Sequence, residues 1–169
     1  MVITGATSGI GRETARRIRA RGACVVAAGR REDAALDELG DEIEGTGGAA
    51  LAVATDVADA AQVDRLIERD DRALRRGRHP RQQRRDRDGR ARFEEQSIAD
   101  FRRVMEVNFW GAVHACKAAL PHMRAQASGG LIINISSHHG QARAALRDRH
   151  YCASKFATGR VLGGAAHRG

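Results

Sequence analysis

A chain of 169 residues, 42% of them hydrophobic, is long enough for one sizeable core and too short for two ordinary domains. Its three cysteines are an odd number without a C-x-x-C pair, which argues against a disulfide framework or a thiolate metal site. The net charge of +8 is local, because ten Arg and two Asp between Arg72 and Arg92 account for all of it.

The first seventy residues alternate short apolar runs with amphipathic stretches. The apolar runs predict strands at Met1–Thr4, Cys24–Ala28 and Ala50–Ala54. The amphipathic stretches predict helices at Gly9–Arg21, Glu32–Glu44 and from Ala58 to about Arg69. In the first helix, Ile10, Ala15 and Ile18 share the inner face. This alternation indicates β-α-β units and hence an α/β fold with a parallel sheet.

The pattern fails from Ala73 to Ala91, which contains no apolar run. Periodicity resumes at Ser97, a good helix N-cap, and predicts one long helix that continues to Leu120. An apolar strand at Leu131–Ile135, a polar loop and a final helix beginning near Tyr151 follow.

A glycine-rich turn joins the first strand to the first helix, in the segment T-G-A-T-S-G-I-G from Thr4 to Gly11. Glycines at Gly5, Gly9 and Gly11 would let the backbone approach a dinucleotide pyrophosphate, which the helix N-terminus attracts. The alternative is an ordinary glycine-rich turn. The position at the first turn of a β-α-β series favours the nucleotide site.

Arg30 and Arg31 follow the second strand, where a basic residue accepts the 2′-phosphate of NADP and an acidic one binds the ribose of NAD. NADP(H) is therefore favoured over NAD(H), although with Glu32 close by the two arginines could also be charges on a solvated helix turn. Asp56 and Val57 follow the third strand, where an adenine edge could be contacted. Asp56 is equally suited to cap the next helix.

Tyr151 and Lys155 are four residues apart and lie on one helix face. A phenol has a pKa near 10 in water, so acid/base work near neutrality requires a nearby positive charge such as Lys155. Ser137 follows a predicted strand, at the edge where α/β sheets place ligands. Asn108 is polar within an apolar helix. The alternatives are a surface Tyr-Lys pair and a satisfied, helix-distorting amide.

These motifs, in this order and with these gaps, resemble the short-chain dehydrogenase/reductase family. The resemblance implies a Rossmann-like doubly wound sheet and hydride transfer between NADP(H) and a carbonyl or secondary alcohol. Tyr151 would exchange the substrate proton, Lys155 would assist it and hold the ribose, Ser137 would orient the carbonyl and Asn108 would hold a relay water. The implied cofactor-binding residues are Gly5, Thr7, Ser8, Gly9, Ile10, Gly11, Arg30, Arg31, Asp56, Val57, Tyr151 and Lys155.

The chain departs from the family where a fourth strand ending in Asn-Asn-Ala-Gly belongs. Residues 79–85 read H-P-R-Q-Q-R-R, which is a one-base-early reading of one plausible coding of the family's I-L-V-N-N-A-G. Residues 161–169 can be explained in the same way, so we interpret the chain as a truncated and partly frame-shifted member. Because buried arginines would be costly, we expect 73–92 to leave the sheet as an aberrant Arg-rich loop of a single 1–169 domain. The fourth strand would be disrupted and the C-terminal strands missing.

Other functions are less well supported. A defective fragment with at most weak nucleotide binding remains the main alternative to an active enzyme. The Arg-rich run lacks the aromatic residues of a single-strand binding platform, so we expect no nucleic acid partner. The histidines show no ligand spacing, so we expect no metal. Apolar runs far below membrane length and the lack of a charged leader predict a soluble cytoplasmic protein with no membrane partner. The resemblance allows a homodimer or homotetramer.

Overall fold

The computed structural model describes residues 1–30, 34–44, 50–74, 81–82, 93–127, 129–137 and 149–162. Its parallel sheet has the order β3-β2-β1-β4, formed by β1 (Val2–Thr4), β2 (Val25–Gly29), β3 (Ala50–Ala54) and β4 (Arg81–Gln82). The helices are α1 (Gly9–Ala20), α2 (Ala34–Glu44), α3 (Ala60–Leu74), α4 (Ile98–Met105), α5 (Gly111–Ala125) and α6 (Arg149–Leu162). The predicted Rossmann-like α/β fold is confirmed, with part of the sheet present.

Alternating strand residues supply two apolar clusters, one on each face of the sheet. The first combines residues of β1, β2 and β3 with residues of α3 and α5: Val2, Val26, Ala28, Val53, Leu66, Ile67, Ala119 and Met123. The second combines residues of β1 and β2 with residues of α1 and α2, and with Ala6: Ile3, Ala6, Ala15, Val25, Ala27, Leu36 and Leu39. Every residue of β2 is buried, as expected for a parallel strand covered on both faces.

The three predicted N-terminal strands and their helices are confirmed with small shifts of their ends. One side chain differs from expectation. Ile10 was predicted on the inner face of α1, but 44% of it is exposed. It lies at the start of the helix, beside the glycine turn and before the stretch that packs on the sheet.

Part of the Arg-rich segment lies in regular structure. Ala73 and Leu74 belong to α3, and Arg81–Gln82 pair in parallel with Ile3 and Thr4. The prediction that 73–92 leaves the sheet is therefore wrong for Arg81–Gln82. Strand pairing uses backbone N–H and C=O groups, which any side chain allows, so two residues can pair without an apolar run. Residues 75–80 and 83–92 lie outside the described residues.

The predicted strand at Leu131–Ile135 does not form a ladder. Only Asn134 makes an isolated bridge, and its neighbours are not assigned to a strand. An apolar run alone does not supply the ladder of backbone hydrogen bonds that defines a strand.

The long helix predicted from Ser97 is interrupted. Ser97 caps α4 as expected, because its Oγ accepts from the Asp100 N–H at 3.0 Å. Five residues, Glu106–Trp110, then form a π-helical turn that separates α4 from α5. Within the described residues, no helix has the length and apolarity needed to cross a membrane.

Candidate active site

The glycine turn between β1 and α1 is shaped by backbone constraints. Gly5 and Gly9 have φ values of 65° and 53°, in the left-handed region that favours glycine. A Cβ on Gly11 would lie 2.1 Å from the Gly5 carbonyl oxygen. Ser8 at the N-cap makes no side-chain capping bond, and the first turn of α1 contains no acidic residue. The backbone N–H groups and positive dipole end of α1 thus suit an anion.

One cavity brings this turn together with residues more than a hundred positions away. It lies past the carboxyl ends of β1, β2 and β3, where ligands bind in open α/β sheets. Its lining consists of Gly5, Thr7, Ser8, Gly9, Ile10, Gly11, Gly29, Arg30, Thr55, Val57, Ile135, Ser136, Tyr151 and Lys155. The predicted loop residues and the Tyr-Lys pair therefore share one space.

Tyr151 and Lys155 lie on the first and second turns of α6. Lys155 is only 5% exposed, and its Nζ donates to the Ile135 carbonyl at 3.0 Å. The same Nζ is 5.9 Å from the centre of the Tyr151 ring. The fully buried Ser154 donates from Oγ to the Tyr151 carbonyl at 2.7 Å. A largely buried ammonium group and a phenol ring thus face the same cavity.

The two adjacent serines differ in their placement. Ser136 lines the cavity, and its Oγ donates to the Lys155 carbonyl at 3.2 Å. Ser137, the predicted residue, is half-buried and is not part of the cavity lining. The side chains of neighbouring residues in an extended chain point in opposite directions. A shift of one residue in the predicted position therefore decides which of the two serines faces the cavity.

Asn108 lies in the π-helical turn, 4% exposed. Its Nδ2 donates to Ser154 Oγ at 3.1 Å, and its carbonyl accepts from Thr158 Oγ1 at 3.1 Å. Its Oδ1 is buried and has no hydrogen-bond partner among the residues that the structure describes. Asn108 also lines a small second cavity together with Lys155 and Asn134. The amide thus joins α6 to the helix interruption and keeps an acceptor available.

The residues predicted at the adenosine end are divided between two cavities. Arg30 is exposed and lines both the main cavity and a neighbouring one. Val57 lines the main cavity, whereas Asp56 lines the neighbouring one and accepts from the Ala58 N–H at 3.1 Å. Asp59, not Asp56, caps α3, accepting from Ala61 N–H at 2.9 Å. Arg31 lies outside the described residues.

Sequence reasoning missed four lining residues, Gly29, Thr55, Ile135 and Ser136. Gly29 had a detectable signal, since it ends β2 beside the glycine turn. A Cβ on Gly29 would lie 2.4 Å from Thr7 Cγ2, so a larger residue there would have to displace the Thr7 side chain of the turn. Thr55 had no such signal.

The buried Cys116 lies on α5 and accepts from Asn134 Nδ2 at 3.8 Å. Burial raises the pKa of its thiol, which the bond from Asn134 only partly offsets. The thiol form is therefore favoured, and Cys116 is a poor nucleophile. The residues that the structure describes contain no group of three or more His, Cys, Asp or Glu side chains suited to a metal ion.

Comparison with known proteins agrees with this geometry. Residues 5–167 match the family model described as enoyl-(acyl carrier protein) reductase. The uncharacterized oxidoreductase YxnA of Bacillus subtilis is 36% identical over 93% of this chain and 43% of its own length. The fatty acyl-CoA reductase of Acinetobacter baylyi is 36% identical over 92% of this chain and 52% of its own length. The chain therefore spans about half the length of these curated relatives.

Solved structures show the same likeness in three dimensions. A short-chain type dehydrogenase/reductase from Mycobacterium marinum superposes with a TM-score of 0.83 at 30% identity, over 94% of this chain and 64% of that one. A short-chain dehydrogenase from Streptomyces avermitilis gives a TM-score of 0.80 at 31% identity, over 96% and 57%.

Proposed function

The chain belongs to the short-chain dehydrogenase/reductase family of NAD(P)-dependent oxidoreductases, and from this premise we propose that it transfers hydride between NADP(H) and a carbonyl or secondary alcohol. The observation that carries the proposal is the shared cavity, which joins the glycine turn to Tyr151 and Lys155. A nucleotide held by the turn and a substrate beside the phenol would meet there.

The residues present fit a dinucleotide. The close approach of Gly11 to Gly5 and the uncapped start of α1 leave room and N–H donors for a pyrophosphate. Arg30, which lines the cavity at the end of β2, would bind a 2′-phosphate and favour NADP(H). When bound, the nicotinamide would supply or accept the hydride.

Tyr151 would donate the proton to the carbonyl oxygen during reduction and accept it during oxidation. The ammonium group of Lys155 would stabilise the negative charge left on the phenol oxygen, and would also hold the ribose. The free Oδ1 of Asn108 supports its role in holding a relay water near Lys155. We keep Ser137 as the residue that orients the carbonyl, with Ser136 as the neighbouring hydroxyl to test.

We further propose that the protein is cytoplasmic and assembles as a homodimer or homotetramer. The interface would involve α6 and the helical segment that runs from α4 through the π-helical turn to α5. Large apolar side chains on these elements support this surface, since Trp110, Phe156 and Val161 are 44%, 50% and 60% exposed. Exposed apolar side chains of this size commonly mark interfaces.

One observation favours the alternative, a chain that binds nucleotide without turnover. Ser137 does not line the cavity that Tyr151 and Lys155 line. Ser136 lines that cavity, but its hydroxyl donates to the Lys155 carbonyl. A carbonyl substrate without a hydroxyl to orient it would be held poorly for proton transfer, while the glycine turn would still bind phosphates.

Purified protein would be tested for a rise in melting temperature with NADPH and with NADH, and for NADPH oxidation with a panel of aldehydes and ketones. NADPH at about 100 times its Kd should stabilise the fold by about 2.7 kcal/mol, and NADH should stabilise it less. Tyr151→Phe should lower kcat by at least about a hundredfold while NADPH stabilisation persists.

Stabilisation by NADPH without turnover on any substrate would favour the binding-only alternative. A lack of stabilisation by either nucleotide would contradict both. Cys152→Ser, a change of similar size one residue along α6 and outside the cavity lining, is the control and should leave kcat unchanged.

A further inference from the structure

Tyr151 is the third residue of α6 as the structure describes it, Arg149–Leu162. Its position relative to the cavity depends on how this part of α6 is held. A phenol that must keep a fixed distance to a reacting atom therefore needs support from outside the helix.

That support comes from the segment that precedes and begins α4. His150 is 3% exposed, and its Nδ1–H donates to Gln96 Oε1 at 2.9 Å. The His150 ring also packs against Phe101, with ring centres 5.5 Å apart. One residue earlier, the Arg149 guanidinium lies 5.0 Å above the Phe93 ring.

These contacts join two parts of the chain that are about fifty residues apart. Phe93 and Phe101 are themselves in edge-to-face contact at 6.0 Å, so the 93–101 segment offers a continuous aromatic surface. The Ser97 hydroxyl donates to Asp100 Oδ2 at 2.7 Å, and this hydrogen bond holds the start of α4. Gln96 directly precedes Ser97, so the helix cap holds the backbone next to Gln96.

We propose that His150 and Gln96 are positioning residues, which fix the first turn of α6 and so place the Tyr151 phenol beside Lys155. The inference rests on the proposed function for its effect on catalysis. Neither residue lines the cavity as the structure describes it, so they act through Tyr151 rather than on substrate or cofactor.

The chain offers a direct probe, because Tyr151 is its only tyrosine. The full chain labelled with 3-fluorotyrosine should give one ¹⁹F resonance. Gln96→Ala removes the acceptor for His150 and should shift or broaden this resonance. It should also lower kcat roughly fivefold, the cost of one buried hydrogen bond, with the KM for NADPH changed less than about twofold.

Two further variants separate the hydrogen bond from packing. His150→Asn keeps a donor for Gln96 and should preserve most of the resonance position and kcat. His150→Phe keeps the ring against Phe101 but loses the donor, and should behave like Gln96→Ala. Gln126→Ala, at a half-buried glutamine after α5, is the matched control and should leave the resonance unchanged.

The proposal would be overturned if Gln96→Ala left the ¹⁹F resonance of the folded protein as in the parent. It would also be overturned if kcat, NADPH binding and folded fraction fell in equal proportion, which would show a general loss of structure. A parent chain without turnover would contradict the proposed function alone, since the resonance still reports whether Gln96 fixes Tyr151.

Discussion

The two sides of the candidate site are built from different interactions. The nucleotide half, residues 1–69 as far as the structure describes them, consists of three strands in parallel register with apolar clusters on both sheet faces. The tyrosine half, residues 93–162 with the same restriction, shows one isolated bridge and no strand ladder. Ala119 and Met123 of α5 share the apolar cluster on one sheet face. The other elements of this half are joined by polar side chains, including Asn108 to Ser154, Lys155 to Ile135 and His150 to Gln96.

This difference has a physical consequence for the site. Apolar packing is non-directional, and cores accept changes that conserve volume. A hydrogen bond depends on angle and distance, and a buried group that loses its partner retains the cost of desolvation. The nucleotide half should therefore be sensitive to steric change, and the tyrosine half to the loss of single polar atoms.

The largest expected effect tests the steric side. Gly11→Ala places a Cβ 2.1 Å from the Gly5 carbonyl oxygen, so the glycine turn must open. We expect the free energy of unfolding to fall by about 3 kcal/mol and NADPH stabilisation to disappear. Urea unfolding and thermal melts with NADPH would measure the two effects.

Gly40→Ala in α2 is the matched control, because its Cβ would meet Ala52 Cβ at an ordinary 3.5 Å. Removing a helical glycine there should leave stability unchanged or raise it by up to about 1 kcal/mol. Equal losses for the two variants would contradict a steric origin in the glycine turn.

The next effect compares two buried threonines. Thr158 Oγ1 lies within bonding distance of the Asn108 and Ser154 carbonyls and joins α6 to the π-helical turn. Thr55 Oγ1 donates only to Val53 two residues away, at 3.3 Å. Thr158→Val should cost about 1.5 kcal/mol and Thr55→Val about 0.5 kcal/mol by urea unfolding. A larger cost for Thr55→Val would contradict the greater polar dependence of the tyrosine half.

The same difference explains which features the sequence could reveal. The glycine turn, the Ser97 cap and the three N-terminal β-α units depend on residues close together in the chain, so local patterns predicted them. Asp56 was a candidate to cap the third helix. Asp59, which has the same side chain three residues later, takes that position instead.

Features of the tyrosine half depend on distant partners. Whether Ser136 or Ser137 faces the cavity depends on the register of an extended segment, which no ladder fixes here. The strand predicted at Leu131–Ile135 has suitable residues but forms no ladder among the residues that the structure describes. Arg81–Gln82 show the converse, since their pairing with β1 needs only backbone groups and leaves no apolar pattern.

The smallest expected effect is a change in melting temperature, and it compares the start of one helix in each half. Gln62 Nε2 donates to Asp59 at 2.9 Å, and this bond, with the Gln62 and Ala61 N–H groups, holds the pKa of Asp59 below its ordinary 3.8. The Ser97 hydroxyl, and then the charge of Arg103, similarly lower the pKa of Asp100. Because folding favours the ionised carboxylates, their stabilisation is complete above about pH 4 and is lost as the pH falls through the lowered values.

Asp59→Asn keeps a capping side chain and Asp100→Asn keeps an acceptor for the Ser97 hydroxyl, but both remove the charge. Each should lower the melting temperature at pH 7 by less than Thr158→Val does, and the difference from the parent should shrink as the pH falls through the lowered pKa values. We expect equal shifts of the melting temperature for the two variants. This result would show that the helix starts contribute alike in both halves, and that the two halves differ in their long-range contacts. A clearly larger shift for Asp100→Asn would contradict this, because it would make the tyrosine half depend on a local cap as well as on its polar links between elements.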